Sequence, residues 1–139
     1  MIAYFDTSAL LPLIVDEPAS EVAARVWDVA DRVVSVRLVY PEARAALARA
    51  HRLGRITSRR LQSAVVQLDR LLDQLDVVEI TARLARRAGE LAEHQSLRGY
   101  DAVHLAGAEL INSRDTVLVA GDTRLCDAGE RLWINVARL

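Results

Sequence analysis

Lysine is absent: all 18 basic residues are arginine. That removes Schiff-base chemistry and the lysine of a phosphate-binding P-loop. The single cysteine, Cys126, excludes an internal disulfide and any cysteine-based zinc cluster, and it fits a reducing, cytoplasmic setting. Aromatic residues make up only 4% of the chain, so its core must be aliphatic. Trp27 and Trp133 stand alone and read as packing or interface residues, not as a base-stacking platform. No apolar run reaches membrane-spanning length. The opening MIAYFDTSALLPLIVDEP lacks a basic region and meets Asp6 early, so neither a membrane span nor an export signal is expected. No stretch is rich enough in Pro, Gly or Ser to be a linker, and no internal repeat is visible.

What is present suits one domain over residues 1–139, with 52% hydrophobic residues for a core and 27% charged residues for solubility. The formal net charge of -1 gives no overall reason to expect a nucleic-acid partner. Short β-branched runs at 2–5, 33–36, 77–80 and 116–119 predict strands, and 133–136 predicts a fifth at an edge. Helical spacing fills the intervals: 7–15, 19–30, from near Pro41 to 53, 57 or 58 to 75, 81–95, 101–111, and a short helix after Asp122. Thr57 or Ser58, Thr81 and Asp122 read as N-caps, and Gly54 as a helix stop. Strands alternating with helices predict an α/β domain: a parallel sheet of four to five strands with helices on both faces.

Open parallel sheets bind ligands outside the carboxyl ends of their strands. Asp6 directly follows the first strand, Glu42 lies in the first turn of the helix after the second, and Asp122 follows the fourth. Asp101 opens a helix, so its place depends on that helix starting at the same edge. Each acid taken alone has a plain explanation as an N-cap or as a partner of the helix dipole. Together they are harder to explain that way, because crowded carboxylates repel unless a cation sits among them. An all-oxygen acidic set suits magnesium or manganese rather than zinc, and His51, His94 and His104 lack paired metal-ligand spacing.

The segments YFDTSALLPLI, VYPEARAAL, LRGYDAVHLAGA and VLVAGDTRLCDAG, in this order, resemble a PIN domain, and more narrowly the toxin nuclease of a VapBC-type toxin–antitoxin pair. The resemblance covers essentially the whole chain. It implies a Mg2+- or Mn2+-dependent endoribonuclease whose four acids fall on Asp6, Glu42, Asp101 and Asp122. Asp6 and Asp101 would be the principal metal ligands, with Glu42 and Asp122 ligating directly or through water, and hydrolysis would leave a 5′-phosphate and a 3′-hydroxyl. It also implies a homodimer and a short VapB-type antitoxin that blocks the acidic site. One departure stands out. The family often carries a small hydroxyl residue two places before the fourth acid, where this chain has Ala120; Thr7 or Ser8 would have to supply that hydroxyl.

Residues 43–68 hold Arg44, Arg49, Arg52, Arg55, Arg59 and Arg60 and no acid, which reads either as a flank for RNA phosphates or as a solvated face paired with acids elsewhere. Arg98 and Arg124 flank the acids and would meet either phosphate or those same carboxylates. His104, three residues after Asp101, shares its helical face but is more simply a packed histidine. The stripe Leu61, Val65, Leu68 and Leu72 would face the core, a second copy or an antitoxin. Rival folds that group carboxylates at strand ends are disfavoured: a receiver domain would want a lysine, and a haloacid-dehalogenase-type phosphatase would want Asp-x-Asp where Asp6 is followed by Thr7-Ser8. A catalytically inactive RNA-binding or scaffolding module is the remaining alternative.

Overall fold

The computed structural model describes residues Met1–Leu139. Five parallel strands form one sheet in the order β3-β2-β1-β4-β5. They are β1 (Ile2–Phe5), β2 (Arg32–Val36), β3 (Asp76–Val78), β4 (Thr116–Ala120) and β5 (Asn135–Arg138). Seven α-helices connect them: α1 (Thr7–Leu10), α2 (Ser20–Val29), α3 (Val39–Arg52), α4 (Ser58–Leu72), α5 (Ala82–Gln95), α6 (Gly99–Leu110) and α7 (Thr123–Arg131). A single 3-10 turn, Leu11–Leu13, extends α1. No helix is long and apolar enough to cross a membrane.

The central strands are apolar because both faces of the sheet are covered. Side chains alternate along β1 and β4. Tyr4, Leu118 and Ala120 enter one core with Leu84, Leu91, Leu105 and Leu125 of α5, α6 and α7. Ala3, Phe5 and Val119 enter the other with Leu10, Ala23, Leu47 and Leu68 of α1 to α4. Trp27 packs edge-on against Phe5 at 5.5 Å, and Cys126 is buried as an apolar filler in α7. This is the predicted three-layer α/β arrangement, with β1 at its centre.

Several boundaries differ from the sequence expectation. Helix α3 begins at Val39, so Pro41 is its third residue; a missing N–H costs nothing within the first turn. Helix α6 begins at Gly99 rather than Asp101. Strand β3 is one residue earlier and shorter than expected. Strand β5 starts at Asn135, not Trp133, because α7 ends in a Schellman-type turn: Trp133 N–H bonds to Glu130 O and Ile134 N–H to Gly129 O. Trp133 takes the left-handed position of that turn, with φ 59°, and its ring is 91% exposed. On α4, Leu68 is fully buried with Ala64 while Leu61 and Leu72 pack at the margin of the core. Val65 lines a groove of about 620 Å³ against Arg44, Ala45 and Ala48 of α3.

Candidate functional site

The strand order reverses between β1 and β4, since β2 and β3 lie on one side of β1 and β4 and β5 on the other. A crevice outside the carboxyl ends is expected at such a switch point. Asp6 and Asp122 follow those two strands directly.

Asp6 turns the chain from β1 into α1 with extended backbone, φ -79° and ψ 175°, and accepts the Ala9 N–H at 3.0 Å. It is therefore an N-cap, as the plain reading held, but the cap is not its only contact. Ser8 Oγ donates to both of its carboxylate oxygens, at 2.7 and 3.0 Å, and accepts the Gly121 N–H at 2.8 Å. Ser8 thus brings to Asp6 the hydroxyl that Ala120 lacks, and ties the end of β1 to the turn that carries Asp122. The Asp6 residue is only 5% exposed and forms no ion pair. Burial pushes its carboxyl above the usual aspartate range, against the opposing pull of His104 and of the hydrogen bonds from Ser8 and Ala9.

Glu42, in the first turn of α3, accepts from Thr7 Oγ at 2.8 Å and lies 2.6 Å from His104 Nε2. His104 is 2% exposed; its Nδ1 faces the Tyr4 hydroxyl at 3.2 Å. A carboxylate only accepts hydrogen bonds, so His104 carries its proton on Nε2 and gives it to Glu42. Tyr4 is wholly buried, which pushes its phenol well up and keeps the hydroxyl protonated. Space for that ring comes from Gly107 on α6, where a Cβ would stand 2.6 Å from the Tyr4 oxygen. His104 is thus a packed histidine, as the simpler reading expected, and it touches Glu42.

Asp101 lies in the first turn of α6, and Asp122 caps α7 through Oδ1 and the Leu125 N–H at 2.9 Å. Arg98 joins them: its Nε donates to Asp101 Oδ2 at 2.9 Å, and Nη2 lies 3.9 Å from Asp122 Oδ2. Through Arg98 and His104 the start of α6 is fixed at the same sheet edge as Asp6 and Asp122. All four predicted acids therefore face one edge, held by hydroxyl, imidazole, amide and guanidinium donors. No three Asp, Glu, His or Cys side chains already stand as a ready-made coordination group. The donor set still fits a hard divalent cation: it is all oxygen, and its innermost carboxylate, Asp6, is buried without a cationic partner.

No local pattern in the sequence points to the Thr7–Glu42 bond or to the Tyr4–His104 contact. Arg98 carried a signal, three residues before Asp101 on the same helix. Arg124 forms no ion pair. None of Arg44, Arg49, Arg52, Arg55, Arg59 and Arg60 does either, unlike Arg25, Arg32, Arg37, Arg87, Arg98 and Arg138. Arg44 bonds to the Tyr40 hydroxyl, and Arg60 to Ser63 and the Ile14 carbonyl. The basic stretch is consequently not neutralised by acids elsewhere in the chain.

Comparison with known proteins places this fold in a family. A PIN domain matches residues 3–131. The chain is 40% identical over 124 residues to Ribonuclease VapC45 of Mycobacterium tuberculosis, covering 89% of this chain and 86% of that one. Among solved structures it resembles Mycobacterium tuberculosis VapC20, with a TM-score of 0.70 and 24% identity over 91% of this chain and 95% of the other. It also resembles VapBC2 from Rickettsia felis bound to a promoter DNA fragment, with a TM-score of 0.67 and 15% identity over 100% and 99% of the two chains.

Proposed function

The chain belongs to the PIN-domain family, among the VapC-type ribonucleases, and from that premise we propose that it is the toxin of a toxin–antitoxin pair: an endoribonuclease dependent on Mg2+ or Mn2+. The observation that carries the metal dependence is Asp6, a buried carboxylate at the sheet's switch point that has three hydrogen-bond contacts and no ion pair. Asp6 and Asp101 are the residues to hold the ion, with Glu42 and Asp122 beside them. A bound divalent ion supplies a water made nucleophilic at neutral pH and neutralises phosphate oxygens.

The chain's own groups do the rest. Ser8 and the Ala9 amide hold the Asp6 carboxylate in one rotamer. Thr7 and His104 hold Glu42, and because His104 is braced by buried Tyr4, that carboxylate cannot swing away from the edge. The unpaired arginines of α3 and α4 offer phosphate contacts along a flank of the same domain, which would make RNA binding salt-dependent without making it sequence-specific. A VapB-type antitoxin and a second copy of the chain are the expected protein partners in the cytoplasm.

Asp6→Asn tests the assignment. The amide keeps the size of the side chain and a carbonyl acceptor for the Ala9 N–H, so far-UV circular dichroism should match the wild type. Cleavage of RNA in Mn2+ should be abolished, and EDTA should abolish it in the wild type. Wild-type cleavage by the variant would remove Asp6 from the site, and cleavage that persists in EDTA would remove the metal.

A further inference from the structure

Arg98 meets two of the four acids at once. Its Nε bonds to Asp101 at 2.9 Å and its Nη2 lies 3.9 Å from Asp122, so one guanidinium balances both carboxylates. The two acids are mostly covered, with side chains 13% and 33% exposed, whereas the Arg98 side chain is 59% exposed. The same guanidinium lies over the Tyr100 ring, 4.8 Å from its centroid. That exposed aromatic face can carry the charge without either carboxylate.

A fixed structural pair in this protein looks different. Arg87 makes two 2.6 Å bonds to Glu109, one to each oxygen, and a third to Glu90 at 2.9 Å. Arg98 has one short bond, one long contact and a ring contact that depends on neither carboxylate. A divalent ion placed between the same two carboxylates weakens their hold on the guanidinium, since the two cations repel.

We propose that Arg98 is an exchangeable counter-ion of the Asp101–Asp122 pair. It holds the pair when no divalent ion is bound and, when one enters, lets go of the two carboxylates while keeping its contact with the Tyr100 ring. The proposal rests on the metal-site reading of the four acids. It carries a consequence that a merely structural arginine would not have: Arg98 competes with the metal, so removing its charge strengthens metal binding.

The test is calorimetric titration of Mn2+ into the full-length wild type, Arg98→Gln, Arg98→Lys and Asp6→Asn. Arg98→Gln should bind Mn2+ about fivefold more tightly than the wild type, the upper range for a pair with one exposed partner. Arg98→Lys keeps the charge and should stay within about twofold of the wild type. Equal or weaker binding by Arg98→Gln overturns the proposal, and so does an equal gain by both variants. If Asp6→Asn binds Mn2+ as the wild type does, or the wild type binds none, the metal-site reading fails and takes this one with it. A wild type that binds with no gain in Arg98→Gln rejects only the role of Arg98.

Discussion

Ser8→Ala removes one oxygen atom, and the structure sets both the size and the pH dependence of the result. The hydroxyl donates to both Asp6 oxygens and accepts from the Gly121 amide. Gly121 is exposed, so water can take over its amide; the loss falls on Asp6, which is buried. A hydrogen bond to a charged group contributes roughly 1.5–3 kcal/mol, so about 2 kcal/mol of stability should disappear while Asp6 is ionised. Burial already holds the Asp6 carboxyl above its ordinary range, and the Ser8 bond opposes that shift. Losing the bond raises it further. A carboxyl raised in the folded state binds more protons there than in the unfolded chain, so stability falls as pH rises between the two titrations. The Ser8→Ala penalty should therefore be small below the folded-state titration of Asp6, grow as pH rises through it, and then level off. Urea unfolding at several pH values reads this directly. The acid limb of RNA cleavage should move to higher pH in parallel, because cleavage needs Asp6 ionised. A penalty that is the same at every pH would refute the reasoning, since it would then arise from packing and not from the carboxylate.

Two further substitutions probe the frame around the site. Gly107→Ala places a methyl group 2.6 Å from the Tyr4 oxygen and 3.1 Å from its ring, against a side chain with nowhere to retreat. It should cost about 1–3 kcal/mol in thermal or urea unfolding, and an unchanged midpoint would mean the ring is free to move. Trp133→Gly relieves a left-handed backbone at φ 59° while removing a ring that is 91% exposed. It should stabilise the isolated protein by about 1 kcal/mol, and a loss of stability would show that the indole makes contacts worth more than the strain.

The parts of the fold fixed by local chemistry were legible in the sequence. Thr57, Thr81 and Asp122 cap their helices through their side chains, each decided within four residues. The misplaced boundaries are those where a turn or tertiary packing overrides local composition. The run from Trp133 to Val136 looks like a strand by composition, yet pairing begins only at Asn135, opposite Val117. Gly99 and Tyr100 look like a turn, but α6 is buried along most of its length, and packing outweighs the weak helix propensity of one glycine. The site divides in the same way. Three of the four acids could be placed at the sheet edge from strand ends and helix starts, with Asp101 placed there mainly by the resemblance. The contacts that hold them span the chain: Tyr4 to His104 across 100 residues, Ser8 to Gly121 across 113. No local pattern contains such pairs. Ala120 lacks a hydroxyl, and of the two residues expected to supply one in its place it is Ser8, two residues along the chain, that reaches Asp6.

Capping and metal binding looked like rival explanations of these acids, and the geometry makes them compatible. A cap uses one carboxylate oxygen and in doing so fixes the side-chain rotamer. Asp122 caps with Oδ1 and leaves Oδ2 with only a 3.9 Å contact to Arg98. Asp6 caps with Oδ1 as well, and its Oδ2 meets a single hydroxyl at 3.0 Å. Glu109, by contrast, spends both oxygens on two short bonds to Arg87. Whether an acid caps a helix therefore does not separate ligand from scaffold. In the proposed metal site the second oxygen is the one left for a cation, and for Asp6 and Asp122 that oxygen is held in a fixed direction and only lightly engaged. The cap is then part of the site: it supplies rigidity before any cation arrives, so that binding need not also order the ligands.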